Sequence, residues 1–128
     1  MKAIMTDTLP SYTIRVETPD GAMYCTIMEI ENEPVELKIH IGKTGASIYA
    51  WTAALAEVIN LALKNGVSLN DIAIAISSIT TEKLRRLENG VTIKSGPEGV
   101  VYCILKYIRE KKKESNRYGP DRGPRMEE

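Results

Sequence analysis

Residues His40 to Ser47, "HIGKTGAS", set two glycines around a lysine and a threonine in the order of a phosphate grip. A phosphate loop of the GxxxxGK[ST] kind needs a further glycine five residues before Gly42, so that its N–H groups fold around the phosphates. That position is Leu37, in the middle of an alternating strand pattern. The chain also lacks room for a doubly wound parallel sheet and a second acidic strand to hold magnesium. The ATPase reading therefore fails. What remains is a strand ending at Ile41, glycines flanking Lys43 and Thr44, and a helix start near Ser47. Free N–H groups at a helix start, together with a lysine, make an anion site. Gly42 and Gly45 serve a tight strand-to-helix turn equally well.

The other chemistry-bearing residues cluster late. Arg109, Arg117, Tyr118, Arg122 and Arg125 bring guanidinium groups and a phenol ring close together in sequence. Arginine grips phosphate in planar, bidentate fashion, and Tyr or Trp stacks on a base. Thr92 and Lys94 precede the Ser95–Gly99 loop and form a second candidate rim. A basic tail of this kind is also what a solvated terminus looks like. Arg85 and Arg86 are adjacent on an expected short helix, so at most one faces a given ligand. Trp51 falls on an apolar helix face and reads as core or oligomer interface rather than as a base platform.

Machinery for bond breaking is not legible. His40 stands alone, the carboxylates scatter over turns and helix surfaces, and no pair sits in a frame for general acid and base. Cys25 and Cys103 lie far apart outside any CxxC frame, which predicts a buried thiol each in a reducing compartment and no zinc site. The expectation is a non-enzymatic binder with no cofactor, no metal and no catalytic residue.

The elements that must position these groups follow from composition and period. A chain of 128 residues, 43% hydrophobic and 27% charged, fits one globular domain, small enough for self-association to be expected. Net charge is zero, but from Lys106 to Arg125 eight Lys and Arg residues face Glu110, Asp121 and Glu114, whereas the first forty residues lean acidic. Such asymmetry points to an anionic partner for one end. Nothing resembles a signal peptide or a membrane span, so a cytoplasmic location is expected.

Residues 1–10 read as a flexible lead-in. Alternation over Ser11–Glu17, Ala22–Glu29 and Val35–Ile41, broken at Thr18-Pro19-Asp20-Gly21 and Glu31-Asn32-Glu33-Pro34, predicts a three-stranded antiparallel meander. A 3.6-residue period then starts, with Ser47 as cap and Gly66 as stop. Ser68-Leu69-Asn70-Asp71 opens a short helix to about Ser77, and TEKLRRLE from Thr81 reads as another helical piece. Val91–Ile93 suggests a short fourth strand, and Val100 to about Lys113 a last helix. The fold class is α+β, with a domain over 11–113 and a basic Gly/Pro-rich tail over 114–128, extended when alone.

An ordered series of these residues resembles the TSCPD domain. It comprises Thr18-Pro19-x-Gly21, Glu33-Pro34-x-Glu36, Gly42-Lys43-x-Gly45 and Leu61-Ala62-Leu63-Lys64-x-Gly66-Val67, spread between Thr18 and Ile79. That module occurs at the end of cobalamin-dependent ribonucleotide reductases and as free-standing proteins, some in phages. The family's name-giving Thr-Ser-Cys-Pro-Asp stretch would fall near Val101–Leu105, where only Cys103 matches, so a metal or thiol role does not carry over. The reductase's catalytic barrel has no counterpart here. Small free-standing phage proteins on this module include Thoeris anti-defence proteins, which bind cyclic ADP-ribose-type and cyclic-oligonucleotide signals. The resemblance implies a homo-oligomeric sponge for a small nucleotide ligand in the bacterial host cytoplasm. The alternative it implies is an accessory module docking onto a ribonucleotide reductase or nucleic acid.

Overall fold

The computed structural model describes residues 3–5, 9–41, 46–77, 79, 85–86, 90, 92–93 and 95–118, with side chains at 9–41, 47–77, 79, 90, 93 and 95–114. Lys43, Thr44, Lys94, Arg122 and Arg125 lie outside the described residues.

The strands are β1 (Ala3–Met5), β2 (Pro10–Thr18), β3 (Gly21–Ile30) and β4 (Glu33–Ile41), antiparallel throughout and in sequential order. The expected meander is β2–β3–β4. The lead-in is not free of structure, because Ala3, Ile4 and Met5 pair with Tyr12, Ser11 and Pro10 and give the sheet a three-residue edge strand. Pro19 and Asp20 link β2 to β3, where Thr18 Oγ1 accepts from the Asp20 N–H at 3.0 Å and donates to the Gly21 carbonyl at 2.8 Å. Gly21 has φ +115, which a side chain would strain. The second link is tighter than the four-residue turn expected from sequence. Glu31 and Asn32 alone make it, both at positive φ (54 and 68), the handedness that matches strand twist in a two-residue hairpin.

Register places Tyr12, Ile27 and Leu37 in one row, Ile14, Cys25 and Ile39 in the next, and Val16, Met23 and Ile41 in the third. This face holds the core. The opposite face carries Thr13, Thr26 and Lys38, then Arg15, Tyr24 and His40. A bulge lies beside Met28 and Glu29, where pairing steps from Met28↔Glu36 to Glu29↔Pro34 and leaves Val35 extra on β4. Glu29 follows Met23, Cys25 and Ile27 in the alternation of β3 and so lies on the core face.

Helix α1 (Ala46–Lys64) runs beside β4. It begins one residue before Ser47, which lies in its first turn rather than capping it. It ends as Gly66 requires: Gly66 has φ +88, its N–H donates to Leu63 O, and the Val67 N–H reaches back to Ala62 O. That is a Schellman closure. Helix α2 (Leu69–Ile76) is capped by Ser68, whose hydroxyl accepts from the Asp71 N–H at 3.1 Å.

The expected TEKLRRLE helix is not found at its centre. Arg85–Arg86 form a two-residue strand, β5, paired with β6 (Thr92–Ile93) in a ladder of its own. Thr92–Ile93 thus do not extend the main sheet.

Helix α3 (Gly96–Tyr118) is longer at both ends than the period predicted. Ser95, fully buried, starts it by accepting from the Glu98 N–H at 3.1 Å. Two glycines in the first turn are packing positions, not loop. A Cβ on Gly96 would fall 2.5 Å from Trp51 Cζ2, and one on Gly99 2.6 Å from Thr18 Cγ2. At the far end Lys111, Lys112, Lys113 and Glu114 continue the helix through Tyr118, five residues into the stretch expected to be extended. Charged, unbranched side chains are good helix formers, and Lys111 pairs with Glu114 at 3.6 Å. Helix α3 lies across β2 and β3 and packs against α2.

Candidate functional site

Helix α3 has two contrasting faces. Val100, Val101, Cys103, Ile104 and Tyr107 point into the core and are buried. At 100° per residue, Tyr102, Lys106, Arg109 and Lys113 fall together on the opposite side. Tyr102 and Lys106 are half-buried, whereas Arg109 and Lys113 are exposed. Position 117 is in register with them. From Lys106 to position 117 the stripe covers about 16 Å of helix axis. Its residue types are the cations and the flat ring that a phosphate-bearing aromatic ligand requires.

The core face carries its own polar group. Glu29, 1% exposed, accepts from the Tyr107 hydroxyl and from Lys111 Nζ at 3.1 and 3.3 Å. Lys111 also reaches the Tyr12 hydroxyl at 3.4 Å, and the Tyr12 and Tyr107 rings meet edge to face, centroids 5.7 Å apart. Burial and the bond to Glu29 push the Tyr107 phenol well above its ordinary range. Burial pulls the Lys111 ammonium down, but its bonds to Glu29 and Tyr12 and the charge of Glu29 outweigh that, so it is raised. Sequence inspection missed this group. Lys111 was counted with the basic end and Glu29 with the acidic one, and only their sharing of a β3–α3 contact shows that they cancel.

Of the residues the sequence nominated, Arg109 stands exposed in mid-helix, and Arg117 and Tyr118 occupy the last turn of α3. Thr92 pairs with Arg86 in the β5–β6 ladder. The two ends of α3 serve different surroundings. Its start touches Trp51, Asp20 and Thr18, and Ile41, where β4 ends, pairs with Met23, whose sulfur lies 3.4 Å from the Cβ position of Gly99. Arg109 is thirteen residues along, about 20 Å from that end. The end of β4 and the arginine stripe therefore do not converge within one protomer.

Trp51 packs on the core with its ring edge against Gly96. Cys25 and Cys103 are free and fully buried, in agreement with core thiols. A hydrogen bond with Cys103, and then burial, raise the Cys25 thiol well above its ordinary range, so neither geometry nor acidity favours a thiolate. His40 is exposed beside Tyr24, ring centroids 6.4 Å apart. Among the described residues no three His, Cys, Asp or Glu side chains converge as metal ligands, and no helix is long and apolar enough to cross a membrane.

No curated protein and no solved structure matches the chain. The model of one family does, over residues 5–109. That span takes in all four strands of the sheet in whole or part, the helices α1 and α2, and α3 as far as Arg109, well beyond the Thr18–Ile79 stretch that carried the resemblance. The chain belongs to the TSCPD domain family.

Proposed function

We propose that this protein binds a nucleotide-derived signalling molecule, of the cyclic ADP-ribose or cyclic oligonucleotide type, and withholds it unchanged. The observation that carries the reading is the outer stripe of α3, where Lys106, Arg109 and Lys113 share one side, with Tyr102, half-buried and packed against the core, at its root. Cations at helical spacing meet phosphates, and an aromatic ring beside them meets a base. Arg117, Tyr118, Arg122 and Arg125 extend the same chemistry along the chain, with Lys43, Thr44, Thr92 and Lys94 as further contacts, completed across a homo-oligomer. Encoded by a phage, such a sponge would deny a host defence effector its signal in the bacterial cytoplasm.

The test is capture and release. The protein is incubated with cyclic ADP-ribose isomers and cyclic oligonucleotides, filtered, and then heated, with both fractions run on a chromatograph. One ligand is expected to vanish from the filtrate and to return intact on heating. Arg109→Ala should weaken capture at least tenfold with the fold intact by circular dichroism. Full recovery of every ligand in the unheated filtrate refutes the reading, and a changed product makes the protein an enzyme. The alternative, an accessory module on a ribonucleotide reductase or nucleic acid, uses the same cations. It predicts binding to oligonucleotides that falls steeply with salt and no capture of small ligands.

A further inference from the structure

Helix α3 packs on the core side of β2 and β3, and no described element covers the other side of the sheet. Two rows of that open face run across β2, β3 and β4. The first is Thr13, Thr26 and Lys38, the second Arg15, Tyr24 and His40. Arg15, Tyr24, Lys38 and His40 are all exposed. In the second row three flat groups follow one another: guanidinium, phenol and imidazole. The Arg15 guanidinium lies 5.9 Å from the centre of the Tyr24 ring, and the Tyr24 and His40 ring centroids are 6.4 Å apart. Arg15 is held from two sides, donating to the Tyr24 hydroxyl at 3.3 Å and pairing with Glu17. In the first row the Thr13 and Thr26 hydroxyls bond each other at 2.9 Å, which leaves one O–H of the pair to donate outward. Lys38, next to them, has no partner among the described residues.

We propose that this face is a platform for single-stranded nucleic acid, with bases stacked on the Tyr24 and His40 rings and the adjoining phosphates on Arg15 and Lys38. An open antiparallel sheet that sets rings beside cations offers what an unpaired strand needs, π-faces for the bases and positive charge for the backbone. Neither row contains a carboxylate, so its charge is complementary to phosphate. Other occupants fit worse. A duplex keeps its base faces stacked on each other, out of reach of the rings. An apolar protein surface finds no Val, Leu, Ile or Met in either row, and an acidic peptide leaves the rings unused.

Carboxylates set the extent of the platform. Glu17 stands one row beyond it on one side, and Glu36 one row beyond it on the other. The two usable rows are about 7 Å apart along the strands, room for a dinucleotide step and not for a long track. None of these residues belongs to the stripe on α3, which lies on the other side of the sheet. The inference therefore stands or falls independently of the ligand reading.

The full chain is titrated into a fluorescein-labelled, mixed-sequence 12-mer, as single-stranded RNA and as single-stranded DNA, with anisotropy as the readout. Both should bind, and the same 12-mer as a duplex at least tenfold more weakly. Tyr24→Ala should weaken binding by about fivefold or more, the loss of one stacked base, whereas Tyr24→Phe keeps the ring and should stay within twofold. The logarithm of the affinity should fall against the logarithm of salt with a slope of about −1.4, as for two phosphates neutralised on a single strand. Ultraviolet cross-linking followed by trypsin should place the nucleotide on the peptide 16–38, which carries Tyr24. No binding, equal affinity for the duplex, indifference to Tyr24→Ala, or cross-links confined to α3 would each overturn the inference. So would a mononucleotide that binds as tightly as the 12-mer, since the occupant would then be a small nucleotide rather than a strand.

Discussion

Glu29 owes its burial to its place in the alternation of β3, where it follows Met23, Cys25 and Ile27 on the core face. The bulge at Val35 re-faces only residues of β4. On the core face the carboxylate meets the Tyr107 hydroxyl and the Lys111 ammonium, so that a charge 1% exposed is fully partnered. The consequence appears in alkali. Tyr107 and Lys111 both hold their protons more tightly in the folded protein than in the unfolded chain, whose ordinary values are 10.0 and 10.5. Above about pH 10 the unfolded chain binds fewer protons than the native one, so stability falls as pH rises, and below that pH their contribution is fully present. Each group can add at most about 1.4 kcal/mol per pH unit to the fall. Urea unfolding at steps from pH 8 to 11.5 should therefore be flat at first and then decline. Tyr107→Phe should make the decline shallower, at a cost of roughly 1–3 kcal/mol at neutral pH for the Glu29 oxygen left short of a donor. A wild-type curve flat to pH 11.5 would mean that the network opens to solvent.

At the scale of elements, the edge of the sheet explains why α1 lies where it does. Asn60 on α1 accepts from the Leu37 N–H at 2.7 Å and donates to the Leu37 carbonyl at 3.1 Å. One amide side chain thus satisfies the backbone pair that β4 leaves open at its outer edge, and covers that edge against stray pairing. Asn60→Ala should cost about 1–3 kcal/mol, because Leu37 is fully buried and water has no easy way in. The cost is read from the urea midpoint at unchanged slope, and a change under about 0.5 kcal/mol would show the clamp to be incidental. Nothing in the sequence singles out Asn60, since the contact joins residues 23 apart. The same limit runs through the rest. Period-2 alternation located β2, β3 and β4, and a 3.6-residue period located α1, because those signals are local. Strand β1 is three residues long and has no room for a pattern. Gly96 and Gly99 look like a loop next to Pro97, and only the approach of Trp51 and Thr18 reveals a helix that needs small residues at its start. The cations of the candidate site were visible as composition. The addition of position 117 to their stripe was not, because it depends on α3 continuing past Lys113.

For the whole molecule, α3 is the shared beam: one side closes the core, the other displays cations, and its two ends lie about 34 Å apart. A ligand seated on Lys106, Arg109 and Lys113 displaces no buried core residue, so binding and folding are coupled by mass action. At a hundred times its dissociation constant such a ligand stabilises the native state by about 2.7 kcal/mol. For a domain of this length that raises the melting temperature by roughly 10 °C. Deletion after Tyr118 removes Arg122 and Arg125 but leaves α3 entire. It should keep the ligand-free melting temperature within about 2 °C, since the family match ends at residue 109 and the deletion leaves all of α3 in place, while cutting the ligand-induced rise. The comparison separates the two jobs of the C-terminal region. A truncated chain that melts much lower without ligand would give the last ten residues a place in the fold. One that keeps the full rise would confine the ligand to the helix, on the stripe from Tyr102 to Arg117.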